Sequence, residues 1–257
     1  MTDPRTSTCP NCSSIVEGES AGRFCGTCGQ DNGRLRLEAR GVLLDVLQNF
    51  VGWNSALVNT MRGLLTAPGQ MVVEYVEGKR RRYVNPAKFC LLSSALWYLA
   101  MNLGGLDALS ASGIRMTATL ASEEDKALTA ALSAFIGRNL ELLQYLSLPL
   151  LATYLRFTFR RAGRNFAECL VFVLYLFGLR YLASIPAIPF GAVWPDAPAN
   201  FRVLFGTIWM TWAASRFFGT TLWGSLWRVM ISFVLHLLST LVLFGLVAIP
   251  WFLLRDS

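Results

Sequence analysis

The sequence at residues 229–254 is VMISFVLHLLSTLVLFGLVAIPWFLL, and none of these residues is Asp, Glu, Lys or Arg. A helix that crosses a bilayer needs about 20 mostly apolar residues, so this segment is long enough to span one. The whole chain of 257 residues shares the bias, because 54% of it is hydrophobic and only 15% is charged. Soluble domains average about 25% charged residues. We therefore predict a mainly α fold, a polytopic membrane helical bundle.

Further apolar segments precede this one and raise the predicted number of spans to about five. Residues 89–106 contain no charged residue, which makes them a clear candidate, and Asp107 follows them. The next segment is weaker, because Glu141 and Pro149 lie within it. The predicted spans cover about residues 89–106, 140–159, 166–188, 201–218 and 229–254. Together they make residues 89–257 a transmembrane domain.

Basic residues lie at alternate ends of the predicted spans. Lys79–Arg82 precedes the first span, four arginines at positions 156–164 follow the second, and Arg216 and Arg228 flank the fourth-to-fifth connection. With five spans all of these fall on one side, which the positive-inside rule assigns to the cytoplasm. We expect a cytoplasmic N-terminus and an outer C-terminus. The loss of one weak span would move the C-terminus inside.

Residues 1–33 are polar and hold two Cys-x-x-Cys pairs, Cys9–Cys12 and Cys25–Cys28. Two residues between thiolates allow one tight turn to direct both sulfurs at one ion, and two such turns supply four soft ligands. This set is typical of structural zinc, since no coordination position stays open for catalysis. The module has almost no apolar core, so we expect metal binding to drive its folding. The alternatives are iron, a redox pair without its usual βαβ setting, and disulfides, which a cytoplasmic location disfavours.

Residues 34–88 connect this zinc ribbon to the first span. Residues 41–66 have helical apolar spacing, which predicts an amphipathic helix that lies in the membrane interface, with Trp53 as an anchor, or packs on the protein's own helices. A short helix from Met71 to Glu77 should stop at Gly78, and Asn85-Pro86 should start the first span. The five residues after Gly78 offer contacts for an anionic lipid or another phosphate-bearing ligand, or for a protein partner, or they serve only to fix the topology: Lys79, Arg80, Arg81, Arg82 and Tyr83.

Ionisable residues inside predicted spans are costly and therefore functional candidates. These are Arg180, His236 and Glu168. Glu168 and Arg180 would lie about 18 Å apart along one helix, too far to pair. Arg180 could extend to the headgroups, and His236 could be a hydrogen-bonded packing residue. We predict that Cys90 and Cys169 are buried and behave as small hydrophobic residues.

The segment Glu74–Phe89 reads EYVEGKRRRYVNPAKF, and the ribbon ends in Cys28-Gly29-Gln30. In these features the chain resembles a family of bacterial membrane proteins with an N-terminal CxxC…CxxCGQ ribbon and an EY[IV]EGKRxxY[VI]NP box before their spans. The similarity covers about residues 9–100. It implies the same architecture and a bacterial inner membrane location, and it implies no activity.

The sequence favours a non-enzymatic role. It has one histidine, no phosphate-binding glycine loop and no paired carboxylates within a span. We expect a scaffold or regulator that docks a cytoplasmic partner through the ribbon or organises lipid through anionic headgroups. The alternatives are a transporter or channel subunit for a lipid or small solute, which would need a homo-oligomer to form a pore, and an enzyme acting on lipid. The net charge is +7, but the basic residues cluster beside apolar segments, so we expect them to contact anionic lipid headgroups and not nucleic acid.

Overall fold

The structure is a computed structural model that describes residues 7–16, 25–30, 54–105, 144–194 and 197–255. It is mainly helical. The elements are β1 (Ser7–Thr8), β2 (Ile15–Val16), α1 (Asn54–Thr66), α2 (Pro68–Val76), α3 (Pro86–Leu103), α4 (144–158), α5 (Phe166–Ser184), α6 (Ala197–Phe217) and α7 (Leu222–Arg255). The strands β1 and β2 pair antiparallel, with Ser7 opposite Val16.

Helix α5 lies at the centre of the bundle and contacts α2, α3 and α6. Its N-terminus is fixed by a capping box, in which the Asn165 side chain accepts the Glu168 N–H and the Glu168 carboxylate accepts the Asn165 N–H. This pairing satisfies two amide groups that the helix leaves open. Glu168, predicted as a polar group inside a span, therefore caps the N-terminus of α5.

Helix α3 packs more extensively on α5 than on any other element. The approach depends on Gly178, because a Cβ there would lie 2.7 Å from Cδ1 of Phe89. The start of α3 agrees with the Asn-Pro signal in the sequence: Asn85 caps the N–H groups of Ala87 and Lys88, and Pro86 is the first helical residue.

Helix α1 contacts α2, and hydrogen bonds also join α1 to the segment before α3 and to α6. Thr60 accepts a hydrogen bond from the Val84 N–H, and Trp209 donates from its indole to the Leu64 carbonyl at 2.9 Å. The described half of the predicted amphipathic helix thus packs on the protein's own helices; residues 41–53 lie outside the described residues. Helix α2 ends near Gly78, whose φ of 118° suits a residue without a side chain.

Among the described residues, two helices are long and apolar enough to cross a membrane. The candidate segments are Phe166–Gly191, which is largely buried inside the bundle, and Leu222–Leu243, of which only 11% is buried. The prediction of five spans is not supported by length and hydropathy. In the other three predicted spans, residues 89–103, 144–158 and 201–217 are helical. The described helix of the second span is too short to pass the length criterion, and polar side chains such as Asn102 and Arg202 lower the mean hydropathy of the other two.

Large apolar side chains are exposed along α3, α6 and α7. In α7 these include Leu237, Leu241 and Val242, the last 63% exposed. In α6, Leu204 and Ile208 are exposed to a similar extent. Apolar surface of this size is unusual for a soluble monomer and marks contact with lipid or another protein.

Candidate metal centre

The four ribbon cysteines come together in the structure. Their Sγ atoms all lie within 4.8 Å of one another, with Cys9 to Cys28 at 3.7 Å and Cys12 to Cys25 at 3.7 Å. Each Cys-x-x-Cys pair begins a closed turn. The Ser13 N–H donates to the Cys9 carbonyl at 2.9 Å, and the Gly29 N–H donates to the Cys25 carbonyl at 2.6 Å.

The spacing of the sulfurs fits metal coordination. A disulfide needs an S–S distance of about 2.05 Å, and all four residues are free cysteines. In a tetrahedron with metal–sulfur bonds of about 2.3 Å, neighbouring sulfurs are about 3.8 Å apart. The two distances of 3.7 Å match that edge. The four thiolates are therefore compatible with a closed tetrahedral metal site, for which zinc and iron both have the right size.

The surroundings of Cys9, Cys12 and Cys25 shift the pKa values of these thiols in different directions. The Ser14 hydroxyl lies 3.3 Å from the Cys25 sulfur, and hydrogen bonding from it lowers the pKa of Cys25 to about 5. The same hydroxyl lowers the pKa of Cys12. Burial raises the pKa of Cys9 to about 11. A metal ion that bound all four sulfurs would therefore have to displace the proton of Cys9.

The ribbon rests on the segment between α2 and α3, which we call the basic box (Lys79–Tyr83). The Arg81 guanidinium donates to the Cys28 carbonyl, 53 residues away in the chain. Gly29 has a φ of 67°, and a Cβ at this position would overlap Arg81. Pro10 of the other turn lies against Gly78, 3.3 Å from where a Cβ would be. Both metal-binding turns thus contact the α2–α3 connection.

Glu74 of α2 contacts three residues of the basic box. Its carboxylate accepts the Tyr83 hydroxyl at 2.7 Å and lies 3.5 Å from the Lys79 ammonium and 3.9 Å from the Arg82 guanidinium. Hydrogen bonding from Tyr83, with the charges of Lys79 and Arg82, lowers the pKa of Glu74. Burial and the neighbouring carboxylate raise the pKa of Tyr83 to about 12. Among the described residues, Nε and Nη2 of Arg80 have no hydrogen-bond partner.

The other basic segments lie at the same end of the bundle as α2. The Arg164 guanidinium stacks 4.7 Å from the Phe217 ring, and the Arg228 guanidinium lies 5.5 Å from the Phe159 ring. Gly69 of α2 abuts α6 beside Arg216. The cations that the sequence placed on one side of the membrane therefore gather at one end, which we call the basic end.

Of the three predicted polar groups of the spans, Arg180 and His236 are close enough to interact electrostatically, whereas Glu168 lies apart from both. Arg180 stacks over Phe177 at 4.2 Å, while Glu168 lies at the opposite end of α5. In the described part of the chain, Nε of Arg180 and Nδ1 of His236 are buried without a hydrogen-bond partner. Sequence reasoning missed Arg202, which is 5% exposed and lies 4.9 Å from the Trp97 ring. Its position at the start of a predicted span was the available signal.

A family model described as "Protein of unknown function (DUF3667)" matches residues 55–97. The matched segment runs from α1 through the basic box into α3, and it excludes the four cysteines of the metal centre. No curated protein and no solved structure matches the chain.

Proposed function

We propose that this chain is a non-enzymatic membrane protein whose zinc-loaded ribbon is held on the basic box and presents a docking surface to a cytoplasmic partner. The observation that carries the proposal is the contact between Arg81 and the Cys28 carbonyl, because it joins the metal centre to the entrance of the membrane domain. A ribbon held in one orientation can orient a partner relative to the bilayer, which a ribbon on a free linker cannot.

Zinc is the metal that we propose for the four thiolates. A closed four-cysteine site in a small module with little core is the usual arrangement of structural zinc. The turns that carry the cysteines also provide the contacts with the basic box, through Cys28 and Pro10. Loss of the metal should therefore release the ribbon from its seat as well as unfold it.

The exposed apolar face of α7 supports insertion in a bilayer. Only 11% of its candidate span is buried, and apolar residues without cover would cause a soluble protein to aggregate. Helices α5 and α6 run antiparallel, since Arg164 before α5 meets Phe217 at the end of α6 and Arg180 near the end of α5 meets Gly206. If α5 and α7 cross the membrane in the same direction, α6 must return across it between them.

The basic end then faces the cytoplasm by the positive-inside rule. The ribbon lies on this side, and α5 and α7 both lead away from it. This orientation gives a cytoplasmic N-terminus and an outer C-terminus in a bacterial inner membrane. The anionic headgroups of the inner leaflet would lie at the level of the basic end.

A photo-crosslinking residue at Thr27 tests the docking role, because Thr27 is exposed on the second metal-binding turn. In whole cells we expect one discrete protein adduct with the intact ribbon. The adduct should disappear in the Cys25→Ser/Cys28→Ser variant and persist in Arg180→Leu and His236→Leu. A matched probe at Val242, on the exposed face of α7, should not give this adduct. Failure to form it, or its persistence without the two cysteines, would contradict the proposal.

A further inference from the structure

A cavity of about 410 Å³ opens at the basic end of the bundle. Three parts of the chain converge on it: Gln70 of α2, Arg164 before α5, and Arg216 near the end of α6. Ligand pockets in proteins are about 300–1,000 Å³, so the cavity is large enough for a small headgroup. It is separate from the four cysteines and from the basic box, and the proposed role of the ribbon does not use it.

The cavity contains more positive than negative charge. Arg164 and Arg216 line it together with one carboxylate, that of Glu168. One oxygen of Glu168 already accepts the Asn165 N–H at 3.0 Å, as part of the α5 capping box. In the ranges that the structure describes, neither arginine forms an ion pair with a carboxylate within 4 Å. Two guanidinium groups are therefore left for an external anion.

Packing fixes the position of one of these groups. The Arg164 guanidinium lies 4.7 Å from the centre of the Phe217 ring, and Phe217 is itself buried. Phe218 and Val73 add apolar surface to the lining. A stacked arginine loses less freedom when it binds a ligand than an arginine extended in solvent.

We infer that this cavity binds a phosphate group. Guanidinium forks match phosphate oxygens in geometry and form charge-assisted hydrogen bonds with them. Gln70 supplies a neutral donor at the rim, and the aromatic residues suit the carbon atoms next to the phosphate. The group belongs either to a lipid headgroup at the inner leaflet or to a soluble phosphate compound. Both sources share the recognition chemistry, and the experiment separates them.

The test uses the full-length protein in an uncharged detergent. It is titrated calorimetrically with dihexanoyl phosphatidic acid, below the concentration at which that lipid forms micelles, and separately with inorganic phosphate. We expect the phosphatidic acid to bind. Arg164→Gln and Arg216→Gln should each weaken binding at least about tenfold, because each removes a charge-assisted contact. Gln70 is exposed, so Gln70→Glu should leave the fold intact. The negative charge that it adds at the rim should weaken the binding of phosphatidic acid.

Arg161→Gln is the matched control, because Arg161 is an exposed arginine of the same loop that does not line the cavity. It should bind as the unaltered protein does. If inorganic phosphate binds as tightly as the lipid, the site recognises a free phosphate group; if the lipid binds at least about tenfold tighter, the lipid is the ligand. The inference is overturned if neither probe binds, if the cavity variants bind normally, or if Arg161→Gln loses as much affinity as they do.

Discussion

Substitution of Arg81 by Met should loosen the ribbon from the basic box without emptying the metal centre. Arg81 donates to a backbone carbonyl, that of Cys28, and contacts no sulfur atom through this bond. A hydrogen bond with one charged partner contributes about 1.5–3 kcal/mol to stability when it is well shielded. Because Arg81 is exposed, water screens the interaction and we expect about 1 kcal/mol. The population of undocked ribbon should then rise about fivefold.

Hydrogen–deuterium exchange measured by mass spectrometry follows this change. Peptides that cover residues 25–30 should exchange faster in Arg81→Met, by up to about fivefold. Zinc content per chain should stay the same. The control is Arg82→Met, because the Arg82 side chain is 55% exposed and pairs with Glu74 rather than with the ribbon. Unchanged exchange in Arg81→Met, or equally accelerated exchange in Arg82→Met, would refute the contact between the ribbon and the basic box.

Two further substitutions probe the packing around the box and the central helix. Glu74→Gln should lower thermal stability in detergent by about 1 kcal/mol at pH 7, because it loses the charge-assisted bond from Tyr83. The pKa of Glu74 is lowered by folding, so this stabilisation is present above the ordinary value of 4.5 and is lost as the pH falls through the lower folded value. Gly178→Ala should lower the free energy of unfolding by about 1–3 kcal/mol, because the added methyl group would lie 2.7 Å from Cδ1 of Phe89.

Each of these has a matched comparison. Glu77→Gln is the control for Glu74. The difference in unfolding free energy between the unaltered protein and Glu74→Gln should shrink as the pH falls below 4.5; a difference that stays constant there would mean that the carboxylate charge is not involved. Gly245→Ala is the control for Gly178, because a Cβ there meets nothing within 4 Å. Equal melting temperatures for Gly178→Ala and Gly245→Ala would argue against the close α3–α5 contact.

Local sequence signals predicted the start of α3 and the end of α2. Asn85-Pro86 begins α3, and Gly78 follows the end of α2, because these signals act through bonds within a few residues. The clustering of the four cysteines was predicted on a different ground, because two Cys-x-x-Cys turns supply the four ligands of one tetrahedral metal site. The count of five spans is not supported, because polar residues within the predicted spans, such as the buried Arg202, lower their mean hydropathy.

Contacts between distant segments could not be predicted. Nothing in the sequence relates Arg81 to Cys28, because their contact depends on how the ribbon and the α2–α3 connection are oriented in space. The same holds for the cavity at the basic end, where Arg164 and Arg216 are brought together by the antiparallel packing of α5 and α6. The sequence showed two separate basic clusters and gave no measure of the distance between them.

We propose that the four cysteines hold one structural zinc ion. The most direct test is the elemental metal content of the full-length protein purified in detergent, measured beside Cys25→Ser/Cys28→Ser and the control Cys169→Ser, whose cysteine is buried in α5. We predict about one zinc per chain in the unaltered protein and in Cys169→Ser, and none in the double variant. Protein without metal, or zinc that remains after both ribbon cysteines are replaced, would contradict the account.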